Sequence, residues 1–146
     1  SKPEAPLTFY EESDAFKLFL LDCGLLGAMN MTDATEAMLT DNIFEEYNGA
    51  LTEQLVLQEL KCVPNLPVYY YTKQNSQQEI DFLIDIKNRA IPIEAKAGEN
   101  LQAKSLKQFI LENKSEKAIK TSLKQYKSNE IIDNVPIYAL YCYLQE

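Results

Sequence analysis

Three charged side chains near the middle of the chain have the types and the spacing of a catalytic site. Asp81 lies among apolar residues at positions 80, 82, 84 and 86, and Glu94 and Lys96 alternate with apolar residues at 91, 93 and 95. This alternation predicts two β-strands, and pairing their apolar positions places Asp81, Glu94 and Lys96 together on the opposite face. Two carboxylates offer hard oxygen ligands for Mg²⁺ or Mn²⁺, while the lysine could orient a water or stabilise charge on a phosphate. A surface ladder of ion pairs would show the same pattern.

A fourth charged side chain, Glu53, belongs to a helix predicted before these strands. Glu53 interrupts an apolar helical face whose other members are spaced by three and four residues, namely Gly49, Val56, Leu57 and Leu60. A carboxylate buried without a partner is costly, so this position calls for a lysine, a metal ion or water nearby. The alternative is a position at the edge of the helix, from which the side chain reaches solvent.

The elements that must position these residues are predicted to form an α/β fold. A first helix is predicted over 42–61, interrupted near Asn48–Gly49 and ended by Pro64 and Pro67. Three strands follow, over Val68–Thr72, Ile80–Ile86 and Ala90–Ala97. A second helix, from about Leu101 to Asn113, and a strand over Lys117–Leu123 complete the predicted order. Residues 16–21 predict a buried strand or the start of a helix, and Asp33 to Glu36 has the spacing of a capping box. Residues 135–144 form an apolar element of either type.

The composition excludes several kinds of enzyme. The 146 residues contain no histidine, which excludes a Ser-His-Asp triad, a Cys-His pair and imidazole-bound zinc within this chain. No GxxxxGK[ST] motif is present, so the segment is not itself a P-loop ATPase. Cys23, Cys62 and Cys142 are widely spaced and odd in number, which favours buried free thiols in a reducing cytoplasm over disulfides or a zinc site.

The charge of the chain limits its partners. A net charge of −8 argues against a free-standing, non-specific DNA-binding protein. Acidic residues concentrate in the first 60 positions, whereas lysines, including Lys104 and Lys107, recur between 104 and 127. That lysine-rich stretch is either a phosphate-facing surface or a solvated face. The sequence contains no apolar run of membrane-spanning length and no signal peptide, and we expect a cytoplasmic segment cut from a longer protein.

Several stretches together resemble the PD-(D/E)XK nuclease superfamily, including archaeal Holliday-junction resolvases. More closely, the chain is similar to the C-terminal domain of unknown function of bacterial and archaeal AAA+-type ATPases, where it follows an ATPase module and a winged-helix-like segment. The similarity extends from about Leu7 onward, and it rests on residues 16–26, Gly49–Leu60, 79–84, 91–96 and 96–106. The sequence departs from the motif at Ile80, which stands where the superfamily has proline.

The resemblance implies a restriction endonuclease-like αβββαβ core with a mixed sheet flanked by helices, over residues 41–146, preceded by a lead-in over 1–40. It implies that Asp81, Glu94 and the backbone carbonyl of Ala95 are ligands of Mg²⁺ or Mn²⁺ and that Lys96 is the catalytic lysine. Glu53 would support a second metal ion or a water, and Lys104 and Lys107 would contact phosphate. ATP would bind only in the missing N-terminal module, an ATPase partner in cis.

Two functions are consistent with these features. The first is Mg²⁺-dependent hydrolysis of nucleic-acid phosphodiesters by Asp81, Glu94 and Lys96, under the control of the ATPase module. The second is a catalytically inactive nuclease fold that recognises nucleic acid or protein and regulates the ATPase. The intact triple of side chains favours the first, and the acidic net charge favours the second.

Overall fold

The computed structural model of the chain describes residues 3–29, 45–73, 78–97 and 103–145, with the backbone alone for residues 45–48. The helices are α1 (Cys23–Met29), α2 (Glu45–Cys62), α3 (Lys104–Asn113) and α4 (Leu140–Leu144), with 3₁₀ turns at Leu7–Tyr10 and Ile137–Ala139. The strands are β1 (Val68–Thr72), β2 (Glu79–Ile86), β3 (Arg89–Lys96), β4 (Ala118–Ser122), β5 (Lys127–Ser128) and β6 (Ile132–Pro136). The predicted order of helix, three strands, helix and strand is therefore confirmed.

The described strands form one six-stranded mixed sheet in the order β1-β2-β3-β4-β6-β5. The pairs β1–β2, β2–β3 and β5–β6 are antiparallel, whereas β3–β4 and β4–β6 are parallel. Because β3 and β4 run parallel, the chain has to cross from one end of the sheet to the other between them, and α3 makes that crossing. The mixed α/β class is thus confirmed.

Helices cover both faces of the sheet, and each face has its own hydrophobic core. On one face α2 packs through Val56 and Leu60 against Phe82, Ile84 and other buried residues. On the other face α3 packs through Leu106, Phe109 and Ile110 against Ile80, Leu83 and Ala118. Burial of each such aliphatic or aromatic side chain stabilises the fold by roughly 1.5–3 kcal/mol, so the two cores hold the central strands in place from both sides.

The β2–β3 hairpin has the register that the sequence predicts. Phe82 pairs with Ile93, Ile84 with Ile91, and Ile86 with Arg89. The two-residue turn consists of Lys87 and Asn88, whose φ angles are 52° and 61°. A turn with two positive φ angles matches the twist of the strands it joins, and asparagine tolerates that conformation well.

A bulge in β2 changes the face on which its first residues lie. The β1–β2 register shifts between Tyr69, which pairs with Leu83, and Tyr71, which pairs with Ile80. Tyr70 therefore lies opposite two residues of β2, Asp81 and Phe82, and the alternation of faces breaks there. As a result Ile80 packs with the α3 core, although we predicted that it shares a face with Phe82 and Ile84, which pack with α2.

Other predictions for the N-terminal half are corrected by the structure. Residues 16–21 form neither a strand nor a helix: Phe16, Leu18 and Leu21 are largely exposed, and both backbone groups of Leu20 are bonded to the Gln54 side chain of α2. The predicted interruption near Asn48–Gly49 is absent, since α2 runs without a break from Glu45 to Cys62. A helical glycine costs about 1 kcal/mol relative to alanine, which packing can offset. The capping-box segment at Thr32–Glu36 lies outside the described residues.

The C-terminal part and the cysteines also differ from expectation. The apolar run over 135–144 combines the end of β6, a 3₁₀ turn and α4, and β5 and most of β6 were not predicted. The three cysteines are free, as predicted, but Cys62 and Cys142 are exposed rather than buried, and Cys23 is intermediate. No helix within the described ranges is long and apolar enough to cross a membrane.

Candidate functional site

The candidate site begins where the pairing of β2 with β3 ends. The ladder runs from the turn to the pair Phe82–Ile93. Asp81 is the next residue of β2 on the side away from the turn, and its Oδ2 atom accepts a hydrogen bond from the backbone N–H of Ala95 at 2.8 Å. The side chain of Asp81 thus takes a β3 amide that a regular ladder would give to the β2 backbone. This contact holds the carboxylate at the opening between the two strands.

The electrostatic surroundings of Asp81 disfavour its charged form. Burial raises the pKa of Asp81 most, the Ala95 N–H opposes that rise, and the nearby negative charges of Glu53 and Glu94 add to it. Lys17 offsets part of this effect, and the net result is a pKa raised to about 6 from an ordinary value of 3.8. Asp81 is therefore a half-buried carboxyl group that is ionised at neutral pH at a cost in stability.

Glu94 and Lys96 form a close pair on the face of the sheet covered by α3. Glu94 is 6% exposed, and its Oε1 atom lies 2.6 Å from the Nζ atom of Lys96. Its Oε2 atom accepts a hydrogen bond from the N–H of Leu106 at 3.3 Å, in the first turn of α3. The positive end of the helix dipole and the ammonium group both stabilise this carboxylate, so its orientation is well determined.

Glu53 is half-buried on α2, where it contacts a lysine. The Nζ atom of Lys17 lies 3.5 Å from Glu53 and 2.5 Å from Glu79 of β2, and 5.5 Å from the centroid of the Tyr70 ring. Burial lowers the pKa of Lys17, but the bond to Glu79 and the charges of Glu53, Glu79 and Asp81 outweigh this effect and raise the pKa above its ordinary value. Of the partners expected for Glu53, the structure thus provides a lysine.

The structure brings the predicted residues together only in part. Glu94 and Lys96 share a face, as expected from the hairpin register. Asp81 does not share that face, because the bulge turns it toward a groove of about 370 Å³ that is also lined by Lys17, Leu57 and Phe82. Asp81 remains within electrostatic range of Glu94 on one side and Glu53 on the other. Asp81 therefore links two groups of charged residues, one on each face of the sheet.

The remaining predicted residues take less central places. Lys104 and Lys107 are exposed on α3, and Lys104 is the first residue of that helix. The backbone of Ala95 donates to Asp81 and lies opposite Thr121 of β4 in the sheet. Among the residues that the structure describes, Asp, Glu and Cys side chains form no group of three or more that could hold a metal ion. A metal site here would consist of two carboxylates, a carbonyl and waters.

Two residues at the site were not predicted. Lys17 was part of an apolar run taken as strand or helix, and its charge within that run was the available signal. Gln78 is 2% exposed, and its Nε2 atom donates to the carbonyl of Ser105 in the first turn of α3, beside the contact of Glu94. Its Oε1 atom has no hydrogen-bond partner within the described part of the chain. Buried acceptors of this kind are normally satisfied by a protein group or by water.

Comparison with known proteins identifies a family without assigning a function. No curated protein and no solved structure matches the chain. The model of one protein family, described as "Domain of unknown function (DUF4143)", matches residues 48–140. This match includes most of α2, the whole β2–β3 hairpin, α3 and β4, and hence Glu53, Asp81, Glu94 and Lys96. Because it covers more than half of the sequence, the chain belongs to the DUF4143 family.

Proposed function

We propose that the chain is a metal-dependent phosphodiesterase domain of the PD-(D/E)XK type, which acts on nucleic acid within a cytoplasmic AAA+-type ATP-binding protein. The observation that carries the proposal is the position of Asp81. Its carboxyl group is held at the end of the β2–β3 ladder between the charges of Glu53 and Glu94, and its pKa is raised to about 6. Strongly shifted carboxyls of this kind are concentrated at functional sites.

The donor chemistry of these residues fits Mg²⁺ or Mn²⁺. Asp81, Glu94 and the carbonyl of Ala95 would hold one ion, with waters completing the shell, and Glu53 would support a second ion or a water. When bound, such an ion polarises a phosphoryl oxygen and lowers the pKa of a coordinated water. Burial is the main cause of the raised pKa of Asp81, and the charges of Glu53 and Glu94 add to it; a bound cation would offset both effects, which is a physical reason for binding at this point.

The chain's own residues would orient the substrate and stabilise its charge. Lys96 neutralises Glu94 in the present arrangement, and its ammonium group would stabilise the negative charge that develops on a phosphate during hydrolysis. The Leu106 N–H holds the second oxygen of Glu94, so the carboxylate keeps its orientation when Lys96 moves toward substrate. Lys104, exposed at the N-terminus of α3, would contact a neighbouring phosphate, with Lys107 one turn further along.

The second candidate is a catalytically inactive nuclease fold that recognises nucleic acid or protein and regulates the ATPase. A specific observation favours it, since both oxygens of Glu94 already have partners and Asp81 lies off the face that carries Glu94 and Lys96. The net charge of −8 is also unfavourable for binding nucleic acid without an additional basic module. In this case the charged residues would stabilise the fold and its contacts rather than a transition state.

Cation binding distinguishes these candidates. We expect Mn²⁺ at 100 times its dissociation constant to stabilise the chain by roughly 2.7 kcal/mol, measured as a rise in melting temperature. Asp81→Asn should abolish this rise. The matched control is Asp85→Asn, on the same strand, whose carboxylate accepts a hydrogen bond from Leu7 instead, and it should keep the full rise.

Hydrolysis is tested with labelled DNA and RNA, single- and double-stranded, in the presence of Mg²⁺ or Mn²⁺ and of the ATPase module with ATP. The phosphodiesterase proposal predicts cleavage that Lys96→Met and Asp81→Asn reduce by at least about 100-fold, since each removes a charge required in the transition state. Binding of nucleic acid without cleavage, unaffected by Lys96→Met, would establish the second candidate instead.

A further inference from the structure

The segment over residues 15–22, which we call the strap, is attached to α2 by two glutamine side chains. Gln54 binds both backbone groups of Leu20, accepting from its N–H at 3.1 Å and donating to its carbonyl at 2.9 Å. Gln58 accepts from the backbone N–H and from the Sγ atom of Cys23, directly after the strap, at 3.1 and 2.9 Å. The strap is therefore held through its backbone, although it belongs to no helix or strand.

The strap directs its single basic residue into the candidate site. The side chain of Lys17 is 23% exposed and contacts Glu53 and Glu79, whereas its neighbours Phe16 and Leu18 are 76% and 86% exposed. Two residues further on, Phe19 packs against Phe82, with 5.8 Å between the ring centroids. Phe82 follows Asp81 in β2, so the strap covers the chain immediately beside the candidate ligand.

Lys17 supplies positive charge beside Glu53 and Glu79 and within electrostatic range of Asp81, the carboxylate that we assign to a divalent cation. The charge of Lys17 acts on Glu53, Glu79 and Asp81, and it reduces the repulsion among them. A lysine ammonium and a divalent ion repel each other strongly at the short distances that both would have to these carboxylates. The two cations therefore compete. Attachment of the strap to α2 keeps the local concentration of the ammonium group high.

We propose that the strap is an autoinhibitory element, in which Lys17 acts as a tethered cation that competes with a divalent metal ion for Asp81 and Glu53. This inference rests on the proposed function. Release of the strap from α2 removes Lys17 from the carboxylates and opens the groove along Phe82 to substrate. Binding of a divalent cation and release of the strap are then coupled, and each favours the other.

The coupling is tested by titrating the whole chain with Mn²⁺ and measuring the free ion by electron paramagnetic resonance. Lys17→Met, which keeps the length of the side chain and removes the charge, should bind Mn²⁺ about tenfold more tightly than the unmodified chain. Lys17→Arg keeps the charge and should bind as the unmodified chain does. Gln54→Ala leaves Lys17 in place but weakens the attachment, so its affinity should lie between the two.

A second measurement follows the strap directly. In a background of Cys62→Ser and Cys142→Ser, Cys23 is the remaining thiol, and its bond to Gln58 ties its labelling rate to the attachment of the strap. Saturating Mn²⁺ should raise that rate several-fold. Autoinhibition is overturned if the unmodified chain binds Mn²⁺ tightly and either Lys17→Met binds it no more tightly or Mn²⁺ leaves the labelling rate of Cys23 unchanged. The proposed function would then remain intact. If neither the unmodified chain nor Lys17→Met binds Mn²⁺, the proposed metal site fails, and the inhibitory role of Lys17 fails with it.

Discussion

Two aspartates of the same sheet, the half-buried Asp81 in β2 and the buried Asp133 in β6, differ in almost every electrostatic respect. Asp133 is 2% exposed and lies 2.6 Å from the Nζ atom of Lys117, and it also accepts hydrogen bonds from Ser128 and Tyr143. Asp81 accepts one backbone hydrogen bond and lies near two other carboxylates. Burial is the largest influence on both groups, and it raises the pKa of each.

The partners determine whether a buried carboxylate stabilises the fold. At Asp133 the bonds from Lys117, Ser128 and Tyr143 outweigh burial, and the pKa lies below its ordinary value. At Asp81 the partners do not outweigh burial, and the pKa is raised to about 6. We infer that Asp133 stabilises the far side of the sheet, whereas Asp81 is kept at a cost in stability, as is common for residues selected for function.

The largest change in stability is expected at Asp133, whose carboxylate has three partners. Asp133→Asn should destabilise the chain by about 3 kcal/mol at pH 7, because it removes the charge that Lys117, Ser128 and Tyr143 bind and leaves a lysine without its partner. The pKa of Asp133 is lower in the folded chain than in the unfolded chain. The loss of stability in the variant is therefore fully present above the pKa of the unfolded chain, and it disappears as the pH falls through the pKa of the folded chain. Urea unfolding as a function of pH measures it, and a change below about 0.5 kcal/mol would contradict our account of Asp133.

The same substitution at the other aspartate should have the opposite sign. Asp81→Asn keeps an acceptor for the Ala95 N–H and removes a disfavoured charge, so we expect it to stabilise the chain by about 2 kcal/mol at pH 8. The pKa of Asp81 is higher in the folded chain than in the unfolded chain, so the unmodified chain regains this stability when Asp81 is protonated at lower pH. The difference between the two proteins should therefore decrease as the pH falls from about 6 toward 4. A destabilised variant at pH 8 would show that Asp81 is a structural residue like Asp133.

A smaller effect should separate the individual partners of Asp133. Tyr143→Phe keeps the ring that packs near Tyr126 and removes only the hydroxyl donor to Asp133, so it should destabilise the chain by about 1.5 kcal/mol at pH 7. The pKa of Asp133, followed by NMR titration of its carboxyl carbon, should rise at the same time. An unchanged pKa would mean that Lys117 and Ser128 alone maintain the charged form.

The elements that depend on local pattern were predicted well from the sequence. Period-two alternation determines β2 and β3 and their register, two prolines after Cys62 end α2, and helical spacing places Glu53 in an apolar face. The mixed character of the sheet follows from strands on both sides of a crossover helix. These features involve residues close in sequence, for which side-chain periodicity is informative.

The site departs from prediction where contacts span long stretches of sequence. Lys17 reaches Glu79 across more than 60 residues, and the hydroxyl of Tyr143 belongs to a C-terminal helix that no periodic pattern indicated. The bulge opposite Tyr70 arises from the fit between β1 and β2, and it moves Asp81 off the face of Glu94 and Lys96. A one-residue bulge reverses the faces of all residues beyond it, and a single strand's pattern does not reveal it.

The sequence alone determined the order of the central elements, the hairpin register and the identity of the carboxylates and lysine that are candidates for chemistry. Only the tertiary structure decided which of these charges lie near one another, because the strap, the bulge and the first turn of α3 each approach the hairpin from a separate part of the chain. Alternation in a strand sets the face of a side chain, whereas its charge state depends on every group that folding brings within a few ångströms.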